Sequence, residues 1–186
     1  MKRIAAAVLA CILLSGCSAE ENGLDTAMEL RTQLLKAEAV SFRVDISADH
    51  GDTLDLFSME CSTDREGSVS FTVTAPDTIS GITGKITGET GALTFDDTAL
   101  YFPLVAEGRL SPVCAPWILM KTLRSGYLRS AGMEGDMLRL TVDDSYEDNA
   151  LQLDIWLDEE NLPRRAEVLC EGRMILSLDV RNFEIL

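Results

Sequence analysis

Residues 41 to 49 read Ser-Phe-Arg-Val-Asp-Ile-Ser-Ala-Asp. Apolar side chains stand at every second position, and polar or charged side chains fill the positions between them. Successive side chains of a strand point to opposite faces, so this pattern predicts a strand with one covered face and one wet face. Strands of this kind form antiparallel sheets, and the stretch therefore sets the fold class.

The same alternation recurs on both sides of this stretch. Further strands are predicted over 57–61, 69–73, 138–142, 151–157, 166–170 and 174–180, with shorter glycine-punctuated strands over 79–87, 92–95 and 99–102. A slip in parity near Leu56 predicts a β-bulge in the second strand. These ten stretches, several of them short, predict a sheet of about eight or nine antiparallel strands.

Two amphipathic helices accompany the strands. Thr26 and Glu29 match a capping box, which predicts a helix from Thr26 to about Ala39. Ser111 and Pro112 are typical of a second helix start, and that helix should end near Ser125-Gly126. We expect an α+β fold, with a curved antiparallel sheet (a half-barrel) and helices covering its concave face.

The N-terminal residues predict the location of the protein. Lys2 and Arg3 precede an apolar run over 4–14, which has the length of a signal-peptide core and is too short to span a bilayer. Leu14-Ser15-Gly16-Cys17 resembles the lipobox of bacterial lipoproteins. The resemblance implies cleavage before Cys17 and a diacylglycerol thioether on its sulfur. The alternative is an ordinary secretory signal with an incidental cysteine.

This interpretation divides the chain into a signal peptide (1–16), a polar tether (17–25) and a single domain (26–186). The covalent lipid on Cys17 makes the membrane a partner, and the domain should lie on the extracytoplasmic side of the cell membrane. In a cell with two membranes, Ser18 does not match an inner-membrane retention signal, so the outer membrane is an alternative location.

Composition excludes one class of partner. The 186 residues carry 16 Lys and Arg against 31 Asp and Glu, a formal net charge of −15. Nucleic-acid binding needs clustered cations, so we expect no nucleic-acid partner. Cleavage of the leader would remove Lys2 and Arg3 and leave the body more acidic still.

Three cysteines, Cys61, Cys114 and Cys170, lie outside the leader and the lipid site. An odd number allows at most one intramolecular disulfide. Cys61 and Cys170 fall on the apolar sides of predicted strands and are the better pair. Three thiols that behave as small buried hydrophobes are the alternative.

The order of elements behind a lipobox resembles the LolA/LolB lipoprotein-carrier superfamily and its lipidated relatives of the LprG/LppX group. The most recognisable stretches are Phe71-Thr72-Val73-Thr74-Ala75-Pro76-Asp77, Leu93-Thr94-Phe95-Asp96-Asp97 and Ala99-Leu100-Tyr101. The resemblance runs from about Thr26 to Phe183 and implies a concave face that holds acyl chains or other hydrophobic ligands. Carried onto this chain, the lining residues would be Phe71, Val73, Trp117, Met120, Leu153, Ile155 and Leu176. The alternative is that these side chains form a dry core.

Motifs of enzymes and metal sites are missing from the sequence. It contains no HExxH, GxSxG or Walker A motif. His50 in a predicted turn is the one candidate general base, and a solvated loop histidine is the more economical interpretation. The acidic clusters at 96–97, 143–149 and 158–160 fit turns better than calcium loops. We expect no catalytic residues, metal or cofactor.

Trp156 alternates out of phase with its apolar neighbours and should point away from the covered face. It would mark a partner-binding patch or pack beneath a loop or the first helix. The leading functional hypothesis is a non-enzymatic, lipid-anchored protein that binds a lipid or another hydrophobic envelope component. The alternative is an interaction module with a filled core, which binds an envelope protein through its surface loops.

Overall fold

A computed structural model describes residues 16–49, 51, 53–88, 90–95, 98–103, 105–106, 109–147 and 150–186. The leader up to residue 15, His50, Asp96 and Asp97 lie outside these residues, and so do the predictions made for them.

Eleven strands form one open antiparallel sheet, which confirms the predicted fold class. They are β1 Ala39–Asp49, β2 Leu54–Asp64, β3 Val69–Ala75, β4 Thr83–Thr87, β5 Thr90–Phe95, β6 Thr98–Pro103, β9 Tyr127–Glu134, β10 Met137–Asp143, β11 Gln152–Leu157, β12 Pro163–Cys170 and β13 Arg173–Ile185. The spatial order is β6-β5-β4-β3-β2-β1-β13-β12-β11-β10-β9. Two short strands, β7 Val105–Ala106 and β8 Arg109–Leu110, pair with each other.

The last strand joins two meanders. β13 pairs with β1 on one side and with β12 on the other, so the chain's C-terminal strand lies at the centre of the sheet. The register with β1 shifts between Ser41 and Arg43, where Asn182 adopts a φ of 50°. Asparagine tolerates this left-handed conformation better than most residues, so it suits the bulge.

Two helices lie against the apolar face of the sheet. Helix α1 spans Gly16–Lys36, and helix α2 spans Ala115–Ser125 after a short 3₁₀ turn, Pro112–Cys114. Ala27, Leu30 and Leu34 of α1 are buried in the same core as the inner side chains of the strands. Gly23 of α1 lies so close to β9 that a Cβ there would be 2.9 Å from the Ala131 Cβ.

The start of α1 differs from the prediction. The helix begins at Gly16, and the residues expected to form a polar tether, 17–25, have helical backbone. The Thr26 hydroxyl donates to the Asn22 carbonyl within the helix, so it does not cap a helix end. The polar composition that favoured a tether is equally compatible with a helix whose apolar residues are few.

The bulge predicted near Leu56 is also displaced. β1 and β2 pair in unbroken register from Ala39 to Asp49. The irregularity in β2 lies between Ser58 and Met59, on the side that pairs with β3. Leu56 is 60 % exposed on the outer face.

Candidate functional site

Helix α2 is the lid of the apolar face, and its sequence explains its bounds. Pro112 and Pro116 lie near its start, where a missing N–H costs nothing, and Gly126 follows its last residue. The start and end therefore agree with the sequence, although the Ser111 side chain makes no capping hydrogen bond. Ile118, Leu119 and Leu123 are buried against the sheet.

An arginine from α1 holds the C-terminal end of this lid. Arg31 Nε donates to the Leu123 carbonyl at 3.0 Å, and Arg31 Nη2 donates to the Gly126 carbonyl at 2.8 Å. The last carbonyls of a helix lack partners within the helix and carry a partial negative charge, so a guanidinium group is well placed there. Burial lowers the pKa of Arg31, but the usual value for arginine is so high that the group stays charged.

Two cationic side chains of α2 itself also connect the lid to the rest of the fold. Arg124 Nη1 donates to the Asp64 carbonyl at the end of β2, at 3.0 Å. Lys121 Nζ lies 3.1 Å from Asp144 Oδ2, beyond the end of β10. Burial lowers the pKa of Arg124, and the charge of Asp64 opposes this effect. Polar contacts therefore concentrate in the C-terminal half of the lid, while apolar side chains fill its N-terminal half.

The seven side chains predicted to line a ligand cavity lie in or beside one packed core. Six of them are at most 3 % exposed: Phe71, Val73, Met120, Leu153, Ile155 and Leu176. Trp117 is half-buried at the margin of the lid, with Lys121 Nζ 5.4 Å from its ring centroid. All seven belong to the core that the sheet and α2 share or pack against it.

Close ring packing explains the glycines of the short strands. The Phe71 ring lies across Gly84, where a Cβ would be 2.3 Å from it. The Phe102 ring lies across Gly91 in the same way, again at 2.3 Å. Each glycine therefore makes room for an aromatic ring on a neighbouring strand.

The apolar face continues beyond the cover of α2 toward β6. Leu93 and Phe102 are half-buried there, and Leu100 is 63 % exposed. On the outer face of the sheet, hydroxyl and charged side chains such as Ser62, Thr72 and Lys85 line an open depression of about 720 Å³.

The structure does not form the Cys61–Cys170 disulfide that the sequence left open. Cys61, Cys114 and Cys170 form no disulfide in this structure. Cys61 pairs with Phe42, whereas Cys170 lies at the β12–β13 turn, roughly 25 Å away along the strands at about 3.3 Å per residue. The alternation of apolar residues predicted that both cysteines lie on strands. Only the pairing register shows that they lie at different positions along the strand direction. Burial raises the pKa of the Cys61 thiol and raises that of Cys114 to about 12.

Trp156 points outward as predicted, but its environment is neither a bare patch nor a loop. The ring is 6 % exposed, with the guanidinium carbons of Arg139 and Arg165 at 5.3 and 5.0 Å from it. Two residues along the same strand, the buried Asp154 carboxylate accepts hydrogen bonds from Arg139 and from the Thr141 hydroxyl, both at 2.7 Å. Sequence reasoning missed this cluster.

The acidic turns are occupied by local contacts. Asp158 accepts hydrogen bonds from the backbone N–H groups of Glu160 and Leu162 and pairs with Arg164 at 2.6 Å. Asp143 pairs with Arg129 at 2.8 Å. Over the described ranges, no three carboxylate, thiol or imidazole groups are placed to hold a metal ion. No helix within the same ranges is long and apolar enough to cross a membrane.

No family model and no curated protein matches the chain. Among solved structures, it is similar to a LolA superfamily protein from Nitrosomonas europaea, at 12% identity and a TM-score of 0.49, covering 86% of this chain and 93% of the other. It is also similar to a putative outer membrane lipoprotein-sorting protein domain from Vibrio parahaemolyticus, at 10% identity and a TM-score of 0.49, covering 89% of this chain and 92% of the other. The lipoprotein LppX from Mycobacterium tuberculosis is similar at 10% identity and a TM-score of 0.42, covering 87% of this chain and 93% of the other.

Proposed function

We propose that the chain is a lipid-anchored, non-enzymatic interaction module on the extracytoplasmic side of the membrane. The Leu14-Ser15-Gly16-Cys17 sequence supports the anchor, with Cys17 carrying the lipid. The second acyl chain of a diacylglycerol gives the stable attachment that a single chain cannot give. Its acidic body is repelled by anionic headgroups, so the acyl chains hold it at the surface.

One observation carries the choice of an interaction module over a lipid carrier. Six of the seven side chains that would line a ligand cavity are at most 3 % exposed, and Leu153 and Ile155 are fully buried. A preformed lipid site needs an open apolar volume of roughly 300 Å³ or more. The low exposure of the described lining residues supports a filled scaffold, which favours binding of a polypeptide partner at the surface.

Intact mass measurement of the full chain purified from membranes tests this function. We expect loss of the leader, a diacylglycerol mass on Cys17, and no further lipid retained under native conditions. Cys17→Ala should lose the covalent mass and move the chain out of the membrane fraction. A stoichiometric non-covalent lipid would contradict the interaction module, and an unmodified Cys17 would contradict the anchor.

Carriage of a hydrophobic ligand is the second candidate function. The uncovered end of the apolar face favours it, because Leu100 is exposed there and Trp117 is half-buried at the edge of the lid. A ligand would enter beside Trp117 and displace the apolar half of α2. Quenching of Trp117 fluorescence by a brominated fatty acid, in a Trp156→Phe background, would support this candidate. Crosslinking in cells separates the two functions, because a carrier traps lipid and a module traps a specific polypeptide.

A further inference from the structure

The strand β6 is an edge of the sheet, and Pro103 at its end is the only protective feature among its described residues. It pairs with β5 on one side, from Thr98–Phe95 to Pro103–Thr90, and with no other strand that the structure describes. Its six residues, Thr-Ala-Leu-Tyr-Phe-Pro, include no charge, although a quarter of the chain is charged. Thr98, Ala99, Leu100 and Tyr101 are all exposed.

The opposite edge of the same sheet is protected. β9 carries Arg129, which pairs with Asp143 at 2.8 Å, and Glu134, which pairs with Arg139 at 3.0 Å. Helix α1 packs on its inner face at Ala131. Charges and covering elements are the devices that keep an edge strand from pairing with another chain. β9 has both charges and cover, whereas the described residues of β6 carry no charge, so β6 is the edge that is more open to pairing.

The side chains around β6 define what would fit beside it. Leu100 faces inward next to Leu93, and Tyr101, which is 78 % exposed, faces outward next to Ala92. An added strand would therefore place alternate residues against an apolar inner surface and against an outer tyrosine. Backbone hydrogen bonds supply the affinity in such strand addition, and the alternate side chains supply the specificity.

Area and charge argue for a foreign peptide and against a second copy. A stable dimer needs about 800 Å² and 20–30 residues from each partner, whereas this edge offers six residues. A second copy would also bring the same excess of 31 acidic over 16 basic residues, which opposes association.

We propose that β6 binds an extended segment of a partner protein by strand addition, with alternating apolar residues and basic flanks. This site rests on the proposed function as an interaction module. The proposal assigns the partner contact to β6 alone, so an experiment can reject this site without rejecting the proposed function.

The probe is a fluorescein-labelled peptide, Lys-Val-Thr-Val-Thr-Val-Lys, titrated against the full lipidated chain in nanodiscs, with empty nanodiscs as the blank. N-methylation of alternate peptide nitrogens removes the backbone donors and should weaken binding by at least about tenfold. Leu100→Lys and Tyr101→Lys should each weaken it by at least about tenfold. Hydrogen exchange should slow at amides 98–102 when the peptide is bound.

Met133→Lys is the matched control, because Met133 lies on the other edge strand and is 64 % exposed, against 63 % for Leu100. It adds the same charge and should change affinity by less than about twofold. Equal loss with Met133→Lys, unchanged binding of the N-methylated peptide, or protection outside β6 would overturn the site. A dimer that Leu100→Lys dissociates would also overturn it, in favour of a second copy. Polypeptide crosslinking in cells that survives Leu100→Lys would reject the site and leave the proposed function standing.

Discussion

On the outer face of the C-terminal meander, arginines from the two neighbouring strands contact Trp156, and Arg139 also binds Asp154. Arg139 lies over the ring and donates to the Asp154 carboxylate, while Arg165 lies over the ring from β12. Hydrogen bonding to Asp154 raises the pKa of Arg139, and burial opposes the rise. Three strands of the C-terminal meander are therefore tied together by polar contacts on the face that the helices leave uncovered.

Asp154→Ala should destabilise the fold by about 2–3 kcal/mol, because it removes the acceptor of the Thr141 hydroxyl and one of the two carboxylates that Arg139 binds. The midpoint of urea unfolding measures the change. The matched control is Arg43→Ala in the pair Arg43–Glu60, where the side chains are 62 and 51 % exposed, and its effect should stay within about 0.5 kcal/mol. Equal effects of the two substitutions would show that the buried carboxylate contributes no more to the free energy of unfolding than an exposed ion pair does.

Sequence patterns predicted the side chains on the inner face of the sheet better than those on the outer face. Phe42, Val44 and Ile46 alternate with polar residues, and all three are buried. The outward direction of Trp156 followed from the same parity. The burial of Trp156 could not be predicted in this way. The arginines that contact it come from neighbouring strands, and the pattern of one strand does not show its register with the next.

At the scale of elements, strands with clear alternation were predicted and the edge strand β9 was not. The sequence predicted no strand over these residues, but they form one in which Ala131 is the one buried side chain. Because most side chains of this edge strand are exposed, its apolar residues do not alternate clearly with polar ones, and the sequence gives little indication of a strand. The cover by α1 at Gly23 is a tertiary contact, which the local sequence does not encode.

Arg31 connects the two helices, and its removal should loosen the lid. Arg31→Ala removes hydrogen bonds to the last carbonyls of α2, and we expect a loss of about 2 kcal/mol in unfolding free energy. Hydrogen exchange at amides 115–125 should accelerate, since the lid opens more readily than the sheet. Lys36→Ala, at an exposed position of the same helix, is the control. Unchanged exchange over 115–125 would contradict the role of Arg31 as a clamp.

At the scale of the whole molecule, the acidic composition makes stability depend on carboxylates that the fold keeps ionised. Burial alone would raise the pKa of Asp158, but hydrogen bonds from the Leu162 and Glu160 backbone and from Arg164 hold it below its ordinary value. Asp64 is shifted in the same direction, chiefly by Ser68 and Lys85 acting against burial. Both carboxylates therefore bind protons more readily in the unfolded chain than in the folded one.

A group with a lowered folded pKa contributes stability above its ordinary pKa, and that contribution is lost as the pH falls through the folded value. Unfolding free energy should therefore drop below about pH 4, the ordinary range of aspartate. Asp158→Asn should be less stable than the wild type at pH 6, and the difference should shrink as the pH falls to about 2, where the wild-type carboxyl is protonated as well. Urea unfolding at several pH values measures this, with the exposed Glu159→Gln in the same turn as the control. A difference that stays constant from pH 6 to the acid limit would assign the effect of Asp158→Asn to lost turn geometry, with no contribution from the ionised carboxylate.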